Sequence, residues 1–248
     1  MMIISELKGV IILIPAYNEG KNIKEVLEGC KKLLPEAFIL VVDDGSFDNT
    51  VEICKNENVY YVSHPFNLGV GAALQTGYKY AVKNNFMYAI QLDADGQHDP
   101  KYLPQILEML KHEESDFIIG SRFVEKDYEG GVLRKAGILM FSQILSFLVQ
   151  EKLTDVTSGY RGMNRSVLNF CIIDKYSFDY PDADYLLTLH RAGFKFSEIP
   201  MKMNPRTNGQ SQHFGMKPIF YFLKMFLSIL IILLRSKKRM LEEISAPD

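Results

Sequence analysis

The chain has 248 residues, 47% of them apolar, and a formal net charge of −2. That length suits one large domain or a domain with a small appendage, and the apolar content excludes an intrinsically disordered chain. The near balance of charge leaves no global footprint for nucleic acid, so a charged partner has to be met by a local cluster.

The opening MMIISELKGVIILIP has no basic leader and carries Glu6 and Lys8, so it reads as a lead into a strand rather than a signal peptide. GVIILIPAYNE is a buried strand ending at Pro15, and NIKEVLEGCKKLL has helical spacing with Asn22 in the cap position. The alternation repeats three times. AFILVVDDGS precedes DNTVEICKNEN, VYYVSH precedes GVGAALQTGYKYAVKNN, and FMYAIQLDADG precedes KYLPQILEMLKHEE, with DFIIGSRF as a further strand. Strand–helix alternation at this spacing predicts an α/β fold: a mostly parallel sheet flanked by helices. Asp44, Asp93, Asp95 and Arg122 then gather along the C-terminal edge of the strands, where open α/β sheets bind ligands. Cys30, Cys54 and Cys171 are sparse and far apart, and read as buried thiols of a reducing compartment.

After residue 130 the pattern changes. Residues 136–150 form an apolar helix, DVTSGYRG a loop, and DADYLLTLHRAGFKFSEIPMKM a helix followed by a strand. The last apolar run, residues 218–234, reaches only about 25 Å as a helix, short of the roughly 30 Å hydrocarbon core of a bilayer. Three readings stay open for it: an interfacial anchor, a helix that docks on a partner subunit or membrane protein, and a spanning helix, in that order. Arg235, Lys237, Lys238 and Arg239 beside it suit anionic headgroups. The expected division is a domain over residues 1–215 and a membrane-interface or docking helix with a basic tail over 216–248.

The stretch QLDADGQHDP concentrates the chemistry. Like charges held close raise each other's pKa, so two aspartates this near each other make sense with a cation between them. If the strand runs through Asp95, even spacing puts Asp93, Asp95 and Gln97 on one face. Three oxygen donors suit Mg²⁺ or Mn²⁺ with positions left for water and phosphate. His98 has no second His or Cys at zinc spacing. A lone D-x-D is equally an ordinary polar turn.

Taken in order, IPAYNEGKNI, VVDDGSFDNT, NLGVGAALQTG, DADGQ, GSRF, TSGYRG and EIPMKMNPRTNGQS resemble glycosyltransferase family 2, nearest its dolichol-phosphate mannosyltransferase and polyprenyl-phosphate branch. The resemblance covers roughly residues 9 to 210. It implies the GT-A fold, a Rossmann-like sheet that binds a sugar nucleotide at its C-terminal edge. It implies that Pro15, Tyr17 and Glu19 cradle the nucleoside and that Val42 and Asp44 read the base or ribose. Asp43 competes with Asp44 as a turn-stabilising acceptor, while Ser46, Asp48 and Asn49 look like turn and cap residues. Asn67 and Gly69 match a turn that shapes the nucleotide pocket, and Gly71 and Gly77 permit close packing.

By the same resemblance Asp93, Ala94 and Asp95, with Gln97, form the donor and metal motif, the metal being carried by Asp93, Asp95 and Gln97. The ion would stabilise the departing diphosphate without a covalent step. Arg122 and Arg206 match basic residues near the phosphates, where a planar fork meets two oxygens. The TSGYRG loop, with Ser158, Gly159, Tyr160 and Arg161, would line the acceptor site, with Arg161 a candidate for an acceptor phosphate. A polyprenyl phosphate is largely dianionic near neutral pH and needs no general base, whereas a sugar hydroxyl does. Asp182, near Asp184 at a helix start, is the candidate base for a hydroxyl acceptor and otherwise a cap.

The resemblance therefore implies an inverting transferase at the cytoplasmic membrane face, peripheral or held by one C-terminal anchor. Its donor is a UDP- or GDP-sugar and its acceptor polyprenyl phosphate. The alternative acceptor is a hydroxyl of a lipid-linked glycan or polysaccharide intermediate. An alternative of another class is a non-catalytic sugar-nucleotide binder or scaffold subunit. The chain lacks the two or more long transmembrane helices of some relatives, so a small membrane-protein partner or a homo-oligomer enters the expectation, and nucleic acid does not.

Overall fold

Seven strands and eight α-helices alternate along the described residues, 8–113, 115–123, 132–173, 183–204 and 217–234, of this computed structural model. The strands β1 (Lys8–Ala16), β2 (Phe38–Asp43), β3 (Tyr60–Ser63), β4 (Phe86–Gln91), β5 (Phe117–Ser121), β6 (Arg161–Asn164) and β7 (Phe196–Pro200) form one sheet in the order β3-β2-β1-β4-β6-β5-β7. β1 pairs in parallel with both β2 and β4, so the chain order reverses between β1 and β4. That reversal opens a crevice at the strand C-termini.

Burial on both faces explains the β1 sequence. Ile11, Ile12, Leu13 and Ile14 are each 1% exposed or less, and strands covered on both sides read as continuous aliphatic runs. Ile11 and Leu13 join Leu40 and Val42 beneath α3 (Val70–Lys83), α5 (Val132–Val149) and α7 (Ala183–Ala192). Ile12 and Ile14 join Ile39 and Val41 against α1 (Ile23–Leu33) and α4 (Leu103–Lys111). Each such side chain contributes about 1.5–3 kcal/mol by leaving water. α3 lies close on the sheet because Gly77 has no side chain: a methyl group there would sit 3.3 Å from Leu13 Cδ2 and 3.5 Å from Val42 Cγ2.

Two elements depart from the sequence reading. β6 is antiparallel to both β4 and β5, although the sequence shows only a loop there. Its four residues, RGMN, carry no apolar alternation. α6 (Arg165–Cys171) follows it, with Asn164 Oδ1 accepting the Val167 N–H at 3.1 Å as a side-chain cap. Since β6 runs against its neighbours, the loop before it is delivered to the edge where the other strands end. The remaining helix on that side of the chain, α2 (Thr50–Asn56), follows the VDDGS turn as expected. Asn22 does precede α1, but its side chain donates to Glu19 Oε2 at 2.8 Å instead of capping the helix.

The three thiols are buried as expected, and burial pushes them up, Cys30 and Cys171 to about 12 and Cys54 to about 11. The last helix, α8 (Lys217–Leu234), packs on α7 through Met225 and Ile229, and Ser228 donates to Asp184 Oδ2 at 2.6 Å. Its outer face leaves Leu223, Phe226, Leu227, Leu230, Ile231 and Leu234 exposed. Among the described residues no helix is long and apolar enough to cross a membrane.

Candidate active site

The loops after β1 and β2 brace each other. Asn18 donates its N–H to Ser46 Oγ at 2.9 Å, and its Oδ1 accepts the Phe47 N–H at 2.8 Å. Asp43 Oδ1 accepts the Ser46 N–H at 3.1 Å, the turn-stabilising role read from sequence. Gly45 sits at φ +76°, and a methyl group on it would lie 2.7 Å from the Phe66 carbonyl carbon, so only glycine fits. Asp48 accepts from Thr50 Oγ1 and N–H and from the Gly20 N–H. Burial pushes its carboxyl up, but these hydrogen bonds together hold it below the ordinary value.

Asp44 is more committed than its sequence position suggests. Its Oδ1 meets His64 Nδ1 at 2.7 Å and the Leu68 N–H at 2.9 Å, and its Oδ2 accepts the Gly69 N–H at 2.8 Å. His64 Nε2 in turn lies 2.9 Å from Thr76 Oγ1. The carboxylate thus builds the Asn67–Gly69 turn from beneath, and little of its acceptor capacity remains for a nucleoside. Nothing in the spacing of His64 relative to Asp44 signals this pair. Pro15 and Tyr17 are half-buried at the end of β1, Glu19 is half-buried beside them, and Asn67 is exposed. Val42 and Ala94 are 1% and 2% exposed, in the core. Their side chains are therefore packing groups.

Across the crevice, β4 stops at Gln91, whose Oε1 accepts from Tyr78 Oη at 2.6 Å. Asp93 and Asp95 therefore lie on a turn, so strand alternation is not what brings them together. Gly96 holds the turn at φ +78°, and Asp95 Oδ1 accepts the Gln97 N–H at 3.0 Å. His98, 2% exposed, accepts the Asp93 N–H on Nδ1 at 2.9 Å and stacks near Tyr160 with ring centroids 5.2 Å apart. An imidazole nitrogen that accepts an amide proton carries none itself, so the ring proton is on Nε2. His98 is thus a buried support of the turn. The Asp93 side chain stays 42% exposed. A methyl group on Gly159 would come within 3.1 Å of both Asp93 carboxylate oxygens, which puts the TSGYRG loop directly against that carboxylate.

The fit to a divalent cation rests on this donor set. Asp93, Asp95 and Gln97 offer hard oxygens on one short turn. Among the described residues no three His, Cys, Asp or Glu side chains gather into a closed cage. A magnesium-like ion needs no such cage when substrate phosphates and water complete its shell.

Two of the three arginines expected at phosphates, Arg122 and Arg161, are engaged within the protein. Arg122, 8% exposed, clasps Asp155 with Nε–Oδ2 at 2.5 Å and Nη2–Oδ1 at 2.7 Å, and reaches Thr157 Oγ1 at 2.8 Å. Arg161, 2% exposed, donates from Nε to the Ser158 carbonyl at 2.7 Å, its guanidinium beside the Phe117 and Tyr185 rings. Both brace the loop from within. Glu198 adds a third brace, accepting from the Thr154 N–H and hydroxyl and the Asp155 N–H. Burial pushes its carboxyl up, partly offset by those donors. Asp155 stands 33 positions from Arg122, a distance at which sequence gives no hint of pairing. Beyond β7, Asn204 donates to the Gln97 carbonyl at 2.9 Å, which draws the segment leading to Arg206 alongside the Asp93–Gln97 turn. Arg206 and Asp182 lie outside the described residues.

The model for glycosyl transferase family 2 matches residues 11–171, from the first core strand through α6. The chain belongs to this family and is a glycosyltransferase. An undecaprenyl-phosphate mannosyltransferase of Micrococcus luteus is 28% identical over 218 residues, spanning 83% of this chain and 88% of that protein. A UDP-N-acetylglucosamine–dolichyl-phosphate N-acetylglucosaminyltransferase of Methanococcus voltae is 30% identical over 215 residues, covering 79% and 85%. The glucosyl-3-phosphoglycerate synthase of Mycobacterium tuberculosis, solved with Mn²⁺, UDP and glucosyl-3-phosphoglycerate, superposes with a TM-score of 0.67. It covers 97% of this chain and 81% of its own at 18% identity. That likeness shows that the two chains share the GT-A fold.

Proposed function

We propose that this family 2 enzyme transfers a sugar, with inversion, from a nucleotide donor to a polyprenyl phosphate at a membrane surface. The observation that carries the proposal is the open Asp93–Gln97 turn beside the β1/β4 crevice, pressed by the loop at Gly159. Two named relatives matched over 83% and 79% of this chain, both transferases to polyprenyl or dolichyl phosphate, support the acceptor class. They differ in the sugar transferred, so both UDP- and GDP-sugars stand as donors.

In this reading Pro15 and Tyr17 hold the nucleoside and Asp93, Asp95 and Gln97 hold Mg²⁺ or Mn²⁺. A bound ion supplies electrostatic and Lewis-acid stabilisation of the departing diphosphate. Structures of the fold relative with Mn²⁺ or Mg²⁺ support that assignment. His98 fixes the Asp93 main chain, and the Arg122–Asp155 pair and Arg161 hold the acceptor loop. Arg206 is the side chain assigned to phosphate contact. The acceptor phosphate brings its own anionic oxygen, so no side chain has to remove a proton before attack. The attack displaces the diphosphate in one step, which inverts the anomeric carbon.

The outer face of α8 and the basic residues 235–239 supply the membrane contact. An apolar helix face flanked by cations suits an interface-lying helix on an anionic leaflet. The test is a donor panel: the protein in detergent with Mn²⁺ or Mg²⁺, a short polyprenyl phosphate and labelled UDP- or GDP-sugars, with the product extracted into organic solvent. An extractable, mild-acid-labile, metal-dependent product is expected from one donor. Metal-dependent donor binding with no lipid product would shift the acceptor to a hydroxyl and make Asp182 the base to test.

A further inference from the structure

At the nucleoside end of the crevice, Phe47 has no packing role that explains it. It is 86% exposed, the highest among the large apolar side chains of the described residues. Its main chain is nonetheless fixed, since its N–H donates to Asn18 Oδ1 at 2.8 Å and Asn18 is held by Ser46 Oγ at 2.9 Å. The ring therefore stands out from a braced turn, in contact with water. Among the described residues it meets one other ring, Tyr17, with centroids 6.5 Å apart and planes at 74°. Two nearly perpendicular rings form a corner in which a third flat ring can lie on one face and present its edge to the other. On the same turn Asp44 is already engaged by His64, Leu68 and Gly69. A planar ligand arriving here is thus offered surfaces more than hydrogen-bond partners.

We propose that Phe47 is the second wall of the donor's nucleobase site, closing a corner with Tyr17. The ligand is the purine or pyrimidine ring of a nucleoside diphosphate sugar, so the inference rests on the donor reading above. Its role is to position the base, and stacking of this kind tolerates different bases.

The test is calorimetric binding of UDP, GDP and ribose 5-diphosphate, each with Mn²⁺, to the parent, Phe47→Ala and Phe47→Tyr. Because the ring is exposed, both variants should melt with the parent. Phe47→Ala should weaken the preferred nucleotide about 5- to 160-fold, the range that loss of one base–aromatic stack gives. Phe47→Tyr should restore it, and ribose 5-diphosphate, which has no base, should bind all three proteins alike. Unchanged nucleotide affinity in Phe47→Ala would overturn the proposal while leaving the donor reading intact. Equal weakening of ribose 5-diphosphate would also overturn it, by showing that Phe47 acts on the loop and not on the base. A parent that binds no nucleotide would sink the donor reading and this inference with it.

Discussion

Asp44 and Asp93 are both aspartates just past the end of a core strand, on the same edge of the same sheet, yet they have opposite surroundings. The Asp44 side chain is 4% exposed and receives two backbone N–H groups and a histidine. The Asp93 side chain is 42% exposed; His98 Nδ1 accepts its backbone N–H at 2.9 Å and lies 3.5 Å from its Oδ2. The difference comes from where the following loop goes. After β2 the chain turns under Gly45 and returns through Leu68 and Gly69, aiming their N–H groups at the carboxylate. After β4 the Gly96 turn aims the Gln97 N–H at Asp95 and leaves Asp93 facing Gly159. One side of the crevice uses the Asp44 carboxylate to build a loop, and the other leaves the Asp93 carboxylate partly exposed.

That contrast can be broken in four ways. The largest effect belongs to the framework. Asp155→Ala leaves the buried Arg122 guanidinium without its bidentate partner, and removing one member of a buried pair costs about 3–5 kcal/mol. Urea denaturation should show that loss, and a cost under about 1 kcal/mol, the usual worth of an exposed pair, would place the pair among surface contacts. Next, Asp93→Asn should lower turnover by about 10²–10³, the scale of losing a charge-stabilising group at the reacting centre. Its melting temperature should stay with the parent, and a fall in both together would make Asp93 a loop builder like Asp44.

Asp44→Asn should do the reverse. Replacing an acceptor of three donors destabilises by about 1–3 kcal/mol, visible as a lowered denaturation midpoint with or without donor present. The smallest effect is set by Asp48, whose carboxyl is held below its ordinary value of 3.8. A depressed carboxyl stabilises the fold fully above its unfolded value and loses that contribution as pH falls through the folded one. The stability gap between the parent and Asp48→Asn should therefore be constant near neutrality and narrow below pH 3.8. A gap that widens on acidification would contradict the hydrogen-bond account of that turn.

The sheet was legible because β1, β2 and β4 announce themselves as aliphatic runs, and their C-terminal polar residues had to collect at one edge. β6 was not legible, since RGMN owes its strand conformation to being wedged between β4 and β5 and not to its own side chains. The segment carrying Asp93 and Asp95 is legible as a motif, but a glycine turn, not strand alternation, brings the two together. The supports of the site stayed hidden for a common reason. His64 reaches Asp44 across 20 positions and Asp155 reaches Arg122 across 33, and only the folded sheet brings them together. The family resemblance points to Arg161, while its burial beside Phe117 and Tyr185 depends on β6, which the sequence does not reveal.

The most direct test of the divided crevice is the effect of Mn²⁺ on nucleoside diphosphate affinity in the parent, Asp93→Asn and Asp44→Asn. The account predicts that Mn²⁺ tightens binding in the parent, that Asp93→Asn loses this metal effect while melting with the parent, and that Asp44→Asn keeps the metal effect on a less stable fold. An undiminished metal effect in Asp93→Asn, or its loss in Asp44→Asn alone, would contradict the division.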